Sequence, residues 1–323
     1  MDAEDVAQIA ESLRQALSAQ PQDTRGVLDQ FGWRDLLADD PKVAVSTLFT
    51  LAGELLTPGS MVDAVLVQAA NDATLADDAR VVLPPPGTQV PLSRRIDGQT
   101  VAVEGVVQTG DGAIVVPCLD AGGEYALVVC EPLRLLRRAP LDESAGWARV
   151  SALAPIRSVV SDWTAPDGDG GPAWGDMVAA GRRALAHELV GVGSTMLSMT
   201  IEHVNERVQF HRPLGSFQAV KHQLADVHLW QEIAVLSAEA AWEDCGTQSA
   251  ALAKSAAIRF TRTARASCQQ LLGGMGFTWE HDFHRYLRRA LTLEPLLGGT
   301  FDLHRELGAA VRSGKVGQGL IAL

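Results

Sequence analysis

The chain is short of lysine and cysteine and has no long apolar run, and each shortage removes a class of protein. Its four cysteines, Cys118, Cys130, Cys245 and Cys268, stand apart with no CxxC spacing and no histidine cluster. That pattern excludes a zinc motif and a disulfide framework, and it leaves the thiols as small buried hydrophobes. No apolar stretch approaches the ~20 residues that span a bilayer. The opening segment, Met1 to Leu17, is acidic rather than a basic signal region, so the expectation is a cytoplasmic chain without membrane association. Lysine occurs only at 42, 221, 254 and 315, and 27 Lys plus Arg face 39 Asp plus Glu. A net charge of −12 opposes any non-specific hold on nucleic acid or an anionic membrane. Small molecules and protein partners remain. With 323 residues, 47% of them hydrophobic, the chain is long enough for two or three packed units.

The patterning divides the chain into a helical start, a β middle and a helical end. In residues 1–73, Val6, Ile9, Ala10, Leu13 and Leu17 recur at helical spacing. Shorter helices follow at Asp29 to Leu37 and at Pro41 to Leu56, the last opening with Asp40-Pro41 in the cap and first-turn positions. This shortened helical unit closes near Thr57-Pro58-Gly59. In residues 74–163 the texture changes to Val-rich segments at Ala79 to Leu83, Thr100 to Gln108, Ala113 to Cys118 and Tyr125 to Glu131. Asp97-Gly98 and Asp111-Gly112 read as hairpin turns in this reduced β unit. A run of breakers across 164–173 reads as a linker. Residues 174–323 predict a bundle of four or more helices, with long members at Trp174 to Phe210, Ser216 to Glu243 and Ser249 to Leu272. The third is so rich in alanine that it must sit tightly between neighbours. Together with the apolar end, Val316 to Leu323, it also reads as surface meant for another subunit.

Two stretches go beyond generic helix content. Arg207-Val-Gln-Phe-His-Arg-Pro-Leu-Gly-Ser-Phe217 ends one helix and starts another, with Ser216 placed to cap and with Arg207 and Arg212 beside a helix start that favours anions. Gln270-Leu-Leu-Gly-Gly-Met-Gly276 ends the Ala-rich helix with three glycines, which let backbone approach a ligand or another chain. Taken singly, each is equally an ordinary helical turn or a glycine cap.

Taken together and in this order, they resemble the acyl-CoA dehydrogenase family. The matching residues are Arg207-Val-Gln-Phe210, Phe217-Gln218, Leu224-Ala-Asp226, Gln270-Leu-Leu-Gly-Gly-Met-Gly276 and Tyr286-Leu-Arg-Arg289. Phe31-Gly32-Trp33 resembles the family's Leu-Gly-Trp opening more loosely. The resemblance implies a mainly α fold with a small β domain: N-terminal helices, a reduced middle β unit and a C-terminal four-helix bundle. It also implies FAD lying across a subunit interface, with Arg207, Gln209, Phe210 and Phe217 at its pyrophosphate and adenosine end. Gln270, Gly273 and Gly274 would meet the same portion, and Thr300 falls where the family has a threonine near the cofactor. Such an enzyme is a cytoplasmic flavoprotein oxidoreductase of lipid metabolism that desaturates an acyl-CoA.

The departures are as informative as the matches. Position 211, glycine in the family, is His. The family's Thr-Glu-Pro-x-x-Gly-Ser-Asp and Trp-Ile-Thr segments, which cradle flavin and thioester, are absent between Asp72 and Ala154. The two places where the family carries its catalytic glutamate hold Leu297-Gly298 and Gly181. Glu188, Glu280 and Glu294 are weak candidates for a substitute base and read as structural; His281 and His284 read as surface residues. A short chain with half a flavin site and no base resembles the small subunits of actinobacterial two-plus-two acyl-CoA dehydrogenases, many tied to steroid breakdown. The resemblance therefore implies a larger homologue as partner in a heterotetramer and an acyl-CoA substrate. Two other readings stand beside it: a flavin-free scaffold for a catalytic homologue, and a self-sufficient acyl-CoA oxidase or flavin monooxygenase on the same fold.

Overall fold

The computed structural model describes residues 2–86, 88, 90–119, 125–133, 140–163 and 172–314. The linker at 164–173 therefore falls almost wholly outside the described residues, as does the apolar end from 316 to 323. The chain opens with helices α1 (Ala3–Ala19), α2 (Thr24–Phe31), α3 (Trp33–Asp39), α4 (Pro41–Leu55) and α5 (Val62–Ala70). Aspartates start three of them. Asp2 accepts from the amides of Glu4 and Asp5, Asp23 from Gly26, and Asp40 from Val43 ahead of Pro41. The expected single helix from Asp29 to Leu37 is two. Gly32 takes φ 70°, and this left-handed residue stops α2 and turns the chain so that Trp33 is fully buried with its indole N–H donating to Ala44 O at 3.0 Å. Helix α5 lies beyond the Thr57-Pro58-Gly59 boundary and was not expected; its largely apolar stretch, broken only by Asp63 and Gln68, carries little helical periodicity to read.

The middle unit is a small closed sheet. Strands β1 (Arg80–Val81), β2 (Ser93–Arg95), β3 (Thr100–Gln108), β4 (Ile114–Leu119), β5 (Tyr125–Cys130) and β6 (Trp147–Trp163) run in the order β1-β4-β2-β3-β6-β5, and β4 also pairs with β5 to close the ring. Asp97-Gly98 joins the antiparallel pair β2–β3 as expected. Asp111-Gly112 does not make a hairpin: β3 pairs with β2 and β6, while β4 pairs in parallel with β1 and β2. The longest strand, β6, had no strong signal because alternating small and polar residues dilute its pattern; it holds β3 in register from Thr100↔Pro155 to Gln108↔Trp147. The barrel has its own core, including Val101, Val103, Val116, Val128 and Val150.

The C-terminal bundle is built from α6 (Pro172–Glu206), α7 (Gln218–Ala240), α8 (Thr247–Leu272), α9 (Phe283–Leu293) and α10 (Thr300–Arg312). The N-terminal helices share one continuous core with it, since Leu48, Phe49 and Leu66 cluster with Leu185, Leu189 and Phe260. Helix α8 buries Ala250, Ala251, Ala253, Ala256, Ala257 and Ala264 inside this chain, so its small face serves internal packing rather than a partner. Cys118, Cys130 and Cys268 are buried, but Cys245 is exposed, in the α7–α8 connection. No helix among the described residues is long and apolar enough to cross a membrane.

A buried guanidinium ties the three parts together. Arg289 on α9 is fully buried and donates to Asp142 at 2.6 Å, Glu188 at 2.9 Å, Thr57 O at 3.0 Å and Ser144 Oγ at 3.1 Å. One side chain thus reaches the α4–α5 connection, the loop before β6 and helix α6.

Candidate functional site

Helix α6 ends at Glu206, four residues before the expected Phe210, because the chain turns back there in a short hairpin. Strand β7 (Val208–Gln209) pairs with β8 (Arg212–Pro213), and the two tip residues, Phe210 and His211, have φ 53° and 65°. Consecutive left-handed residues at a two-residue tip make a primed turn, for which glycine is the usual choice. His211 therefore keeps the turn while bearing the strain that a glycine would avoid. The tip holds Phe210 out at 81% exposure. Behind it, the Arg212 guanidinium lies 3.9 Å over the Phe217 ring, and Phe217 meets Phe210 edge-on with centroids 6.1 Å apart. Ser216 does not cap α7; its hydroxyl donates to Pro213 O at 2.7 Å within a 3-10 turn at Leu214–Ser216, and Phe217 stands at the cap with no side-chain bond. The first amides of α7 are left without a side-chain acceptor.

The glycine segment sits at the same end of the bundle. Helices α6 and α8 run parallel, with α7 between them in sequence. Thr200 of α6 stands against Cys268 of α8, and His203 lies within electrostatic reach of both Arg207 and His281. Burial, then these two neighbours, lower the His203 pKa. Gly273 ends α8 with φ 59° and ψ −136°, and a Cβ at Gly273 or Gly274 would meet nothing within 4 Å. The backbone here is bare and open. Gln270, Gly273 and Gly274 are exposed, as are Phe277 and Trp279 beyond them; Arg288 stacks on Trp279 at 4.5 Å. The structure thus gathers Arg207, Gln209, Phe210, Phe217, Gln270, Gly273 and Gly274 at one bundle end.

Thr300 does not join them. It opens α10 next to Gly298, whose carbonyl accepts from Lys254 at 2.8 Å, and Lys254 lies 19 residues before Gly273 along α8, about 28 Å of helix. The Thr300 hydroxyl is buried and without a partner. Sequence reasoning missed Lys254, although a lone lysine in an Ala-rich face was the available signal. It is fully buried, and its ammonium donates to the carbonyls of Glu294, Leu296 and Gly298. Burial pushes its pKa well down. Arg182 donates to Leu297 O at 2.9 Å and pairs with Glu306. Two cations thereby pin the connection between α9 and α10.

That connection closes on the other base position. A Cβ at Gly181 would stand 2.5 Å from Leu297 Cδ1 and 2.9 Å from Leu66 Cδ2. The two places thus converge in space, and leucine side chains fill it. Of the three substitute acids, Glu294 is buried and held by Arg262 at 3.1 Å, Arg265 at 3.0 Å and Thr261 at 3.3 Å. Glu280 is exposed. Glu188 is buried against Arg289, with burial raising its pKa; one of its oxygens is buried without a partner, and the residue borders a cavity of about 350 Å³ between α4, α5 and the β unit. His281 accepts the Phe283 amide, and His284 packs on Trp279 with centroids 4.7 Å apart.

The fold is thus a helical bundle joined to N-terminal helices and a small β unit. Residues 168–311 match the family model described as "Acyl-CoA dehydrogenase, C-terminal domain". Its C-terminal bundle therefore carries the acyl-CoA dehydrogenase C-terminal domain. It is 35% identical over 180 residues to acyl-CoA dehydrogenase IpdE2 of Mycobacterium tuberculosis, a match covering 51% of this chain and 53% of that protein. The match spans about half the length of that curated relative. Among solved structures, the Tcur3481-Tcur3483 steroid ACAD superposes with a TM-score of 0.76 at 22% identity, over 97% of this chain and 99% of that one. A glutaryl-CoA dehydrogenase from Mycobacterium smegmatis in complex with FADH2 gives 0.68 at 16%, over 97% and 95%. At these identities the likeness is one of fold.

Proposed function

We propose that this chain is a subunit of an FAD-dependent acyl-CoA dehydrogenase complex, that it contributes the interface part of a flavin site, and that its partner, a larger homologue, supplies the catalytic base. The observation that carries the reading is the pair of base positions, Gly181 and Leu297-Gly298, converging in a space packed by Leu66 and Leu297. Abstraction of an α-proton from a thioester needs a carboxylate within reach, and this chain has leucine there. The exposed bundle end fits the cofactor chemically. Arg207 would pair with a phosphate, Phe210 and Phe217 would pack on a ring, and bare backbone at Gly273 and Gly274 admits close approach. When bound, FAD supplies the acceptor for the substrate's β-hydride. A Tcur3481-Tcur3483 neighbour described by two components and as steroid ACAD supports a heteromeric assembly and a steroid-derived acyl group.

The test is reconstitution with the larger homologue, reading flavin bound per pair. Arg207→Ala, Phe210→Ala and Gln270→Ala should each lower retained FAD while helical content is unchanged. Full flavin in all three would instead support the flavin-free scaffold. Turnover by the purified chain alone with added FAD would favour the self-sufficient oxidase or monooxygenase.

A further inference from the structure

Histidine is concentrated at the bundle end proposed to face the flavin. Five of the chain's eight stand there: His203 in the last turn of α6, His211 at the hairpin tip, His222 near the start of α7, His281 just before α9 and His284 in its first turn. Four of these are solvated or already bonded. His211 and His222 are exposed, His281 Nδ1 accepts the Phe283 amide at 3.1 Å, and His284 Nδ1 lies 2.9 Å from His281 O. His203 differs from them. Its ring is partly buried, and among the described residues neither ring nitrogen has a hydrogen-bond partner. The Arg207 amide donates to the His203 carbonyl at 2.8 Å, so the arginine stands one turn further on over the same face of α6.

The charged and titratable groups around this ring come from three elements. Its own helix end contributes Glu202, Glu206 and Arg207, the approach to α9 contributes Glu280, His281 and Asp282, and the start of α7 contributes Lys221 and His222. Asp282 is held by Arg285 at 3.3 Å. Partial burial, then His281 and Arg207, favour the neutral ring of His203, and Glu206 opposes them. The C-terminus of a helix favours a cation, so an anion that answers Arg207 removes an obstacle to protonation. We propose that His203 takes up a proton when FAD binds, so that the pyrophosphate is held by Arg207 and by a second cation one turn behind it. This rests on the flavin reading of the bundle end and adds a regulation to it. The pyrophosphate diester keeps both negative charges across the range where histidine titrates, so the exchanged proton is the protein's. Because the bound state favours the imidazolium more than the free state does, affinity is highest at low pH and falls as pH rises through that range.

The test uses the chain reconstituted with its larger homologue, titrated with FAD at low salt. Calorimetry of the wild-type pair in two buffers of different ionisation enthalpy should show net proton uptake per flavin bound. The dissociation constant should be about fivefold lower at pH 5.5 than at pH 8, the size Coulomb's law gives for a double negative charge about 7 Å from a new cation in watery, weakly screened surroundings. His203→Gln should lose that gain and match wild type at pH 8. His203→Lys, which carries its charge at both pH values, should bind as tightly at pH 8 as wild type does at pH 5.5. The proposal is overturned if the wild-type pair binds FAD without exchanging a proton, if His203→Gln keeps the full pH dependence, or if His203→Lys binds no tighter than wild type at pH 8. Flavin held equally at both pH values would overturn this inference and leave the flavin site standing; no flavin at either pH would overturn both.

Discussion

Replacing Asp63 by Asn should remove one of two opposing pH dependences from the stability of this protein. Asp63 lies on α5, is buried, and accepts the Val81 amide at 3.1 Å, which fixes β1 against the helices. Loss of solvent pushes its carboxyl from 3.8 up to about 7, and the Val81 hydrogen bond with the attraction of Arg80 and Arg25 offsets this only in part. Between those two values the folded chain holds a proton that the unfolded chain has released, so stability falls as pH rises through the window and stays low above it. Roughly three pKa units correspond to about 4 kcal/mol as an upper bound. His187 acts in the opposite sense. Burial lowers its pKa from 6.5 to about 4, so its contribution to stability is lost as pH falls through that range. A wild-type profile alone therefore mixes the two, and the difference from Asp63→Asn isolates one. Asn retains an oxygen for Val81 and has no charge to desolvate. Urea unfolding of both proteins from about pH 5 to about pH 8 should show the variant gaining on wild type by a few kcal/mol and levelling off above neutrality. A difference that does not change with pH would refute the reasoning.

Arg289→Met should cost about 3–5 kcal/mol in denaturant unfolding, because it strands Asp142 and Glu188 without their shared cation; an unchanged midpoint would mean that the network does not hold the parts together. Glu188→Gln, Glu280→Gln and Glu294→Gln should each leave turnover of the assembled complex within a few fold. Loss of α-proton exchange in any one, with flavin still bound, would return the base to this chain. The chain without its partner should aggregate or form non-native dimers in light scattering, since Phe210, Trp279 and Phe301 are 81%, 74% and 93% exposed; a monodisperse, heat-stable monomer would contradict this.

The long helices and the mainly α fold were legible because apolar spacing, Asp40-Pro41 and the glycine stop at Gly273 are local signals. The residues proposed to face the cofactor were legible only as motifs. That Arg207 and Gly273 stand at one end follows from α6 and α8 running parallel, a tertiary fact with no local trace. Helix α5 and strand β6 were missed because neither carries clean periodicity. The burial of Lys254, Arg289, Asp63 and Asp142 was missed for a different reason. A charged residue reads as surface until its partners are known, and those partners lie 40 to 232 residues away in the chain for Lys254 and Arg289. The Ala-rich α8 was half legible: its close packing was, but the packing is with its own chain.

The leucines at the empty base positions also bear on whether this chain could regain independence. A carboxylate at 181 would collide with Leu297, and shrinking Leu297 first would open a hole costing about 2–5 kcal/mol before any acid arrived to use the space. An acid at 297 would be introduced beside Lys254 and Arg182, which grip that segment by its carbonyls. A proton acceptor at 181 is therefore reached only through a less stable protein. On the proposed division of labour, reliance on a partner is held in place by packing, and reversal requires several changes made together.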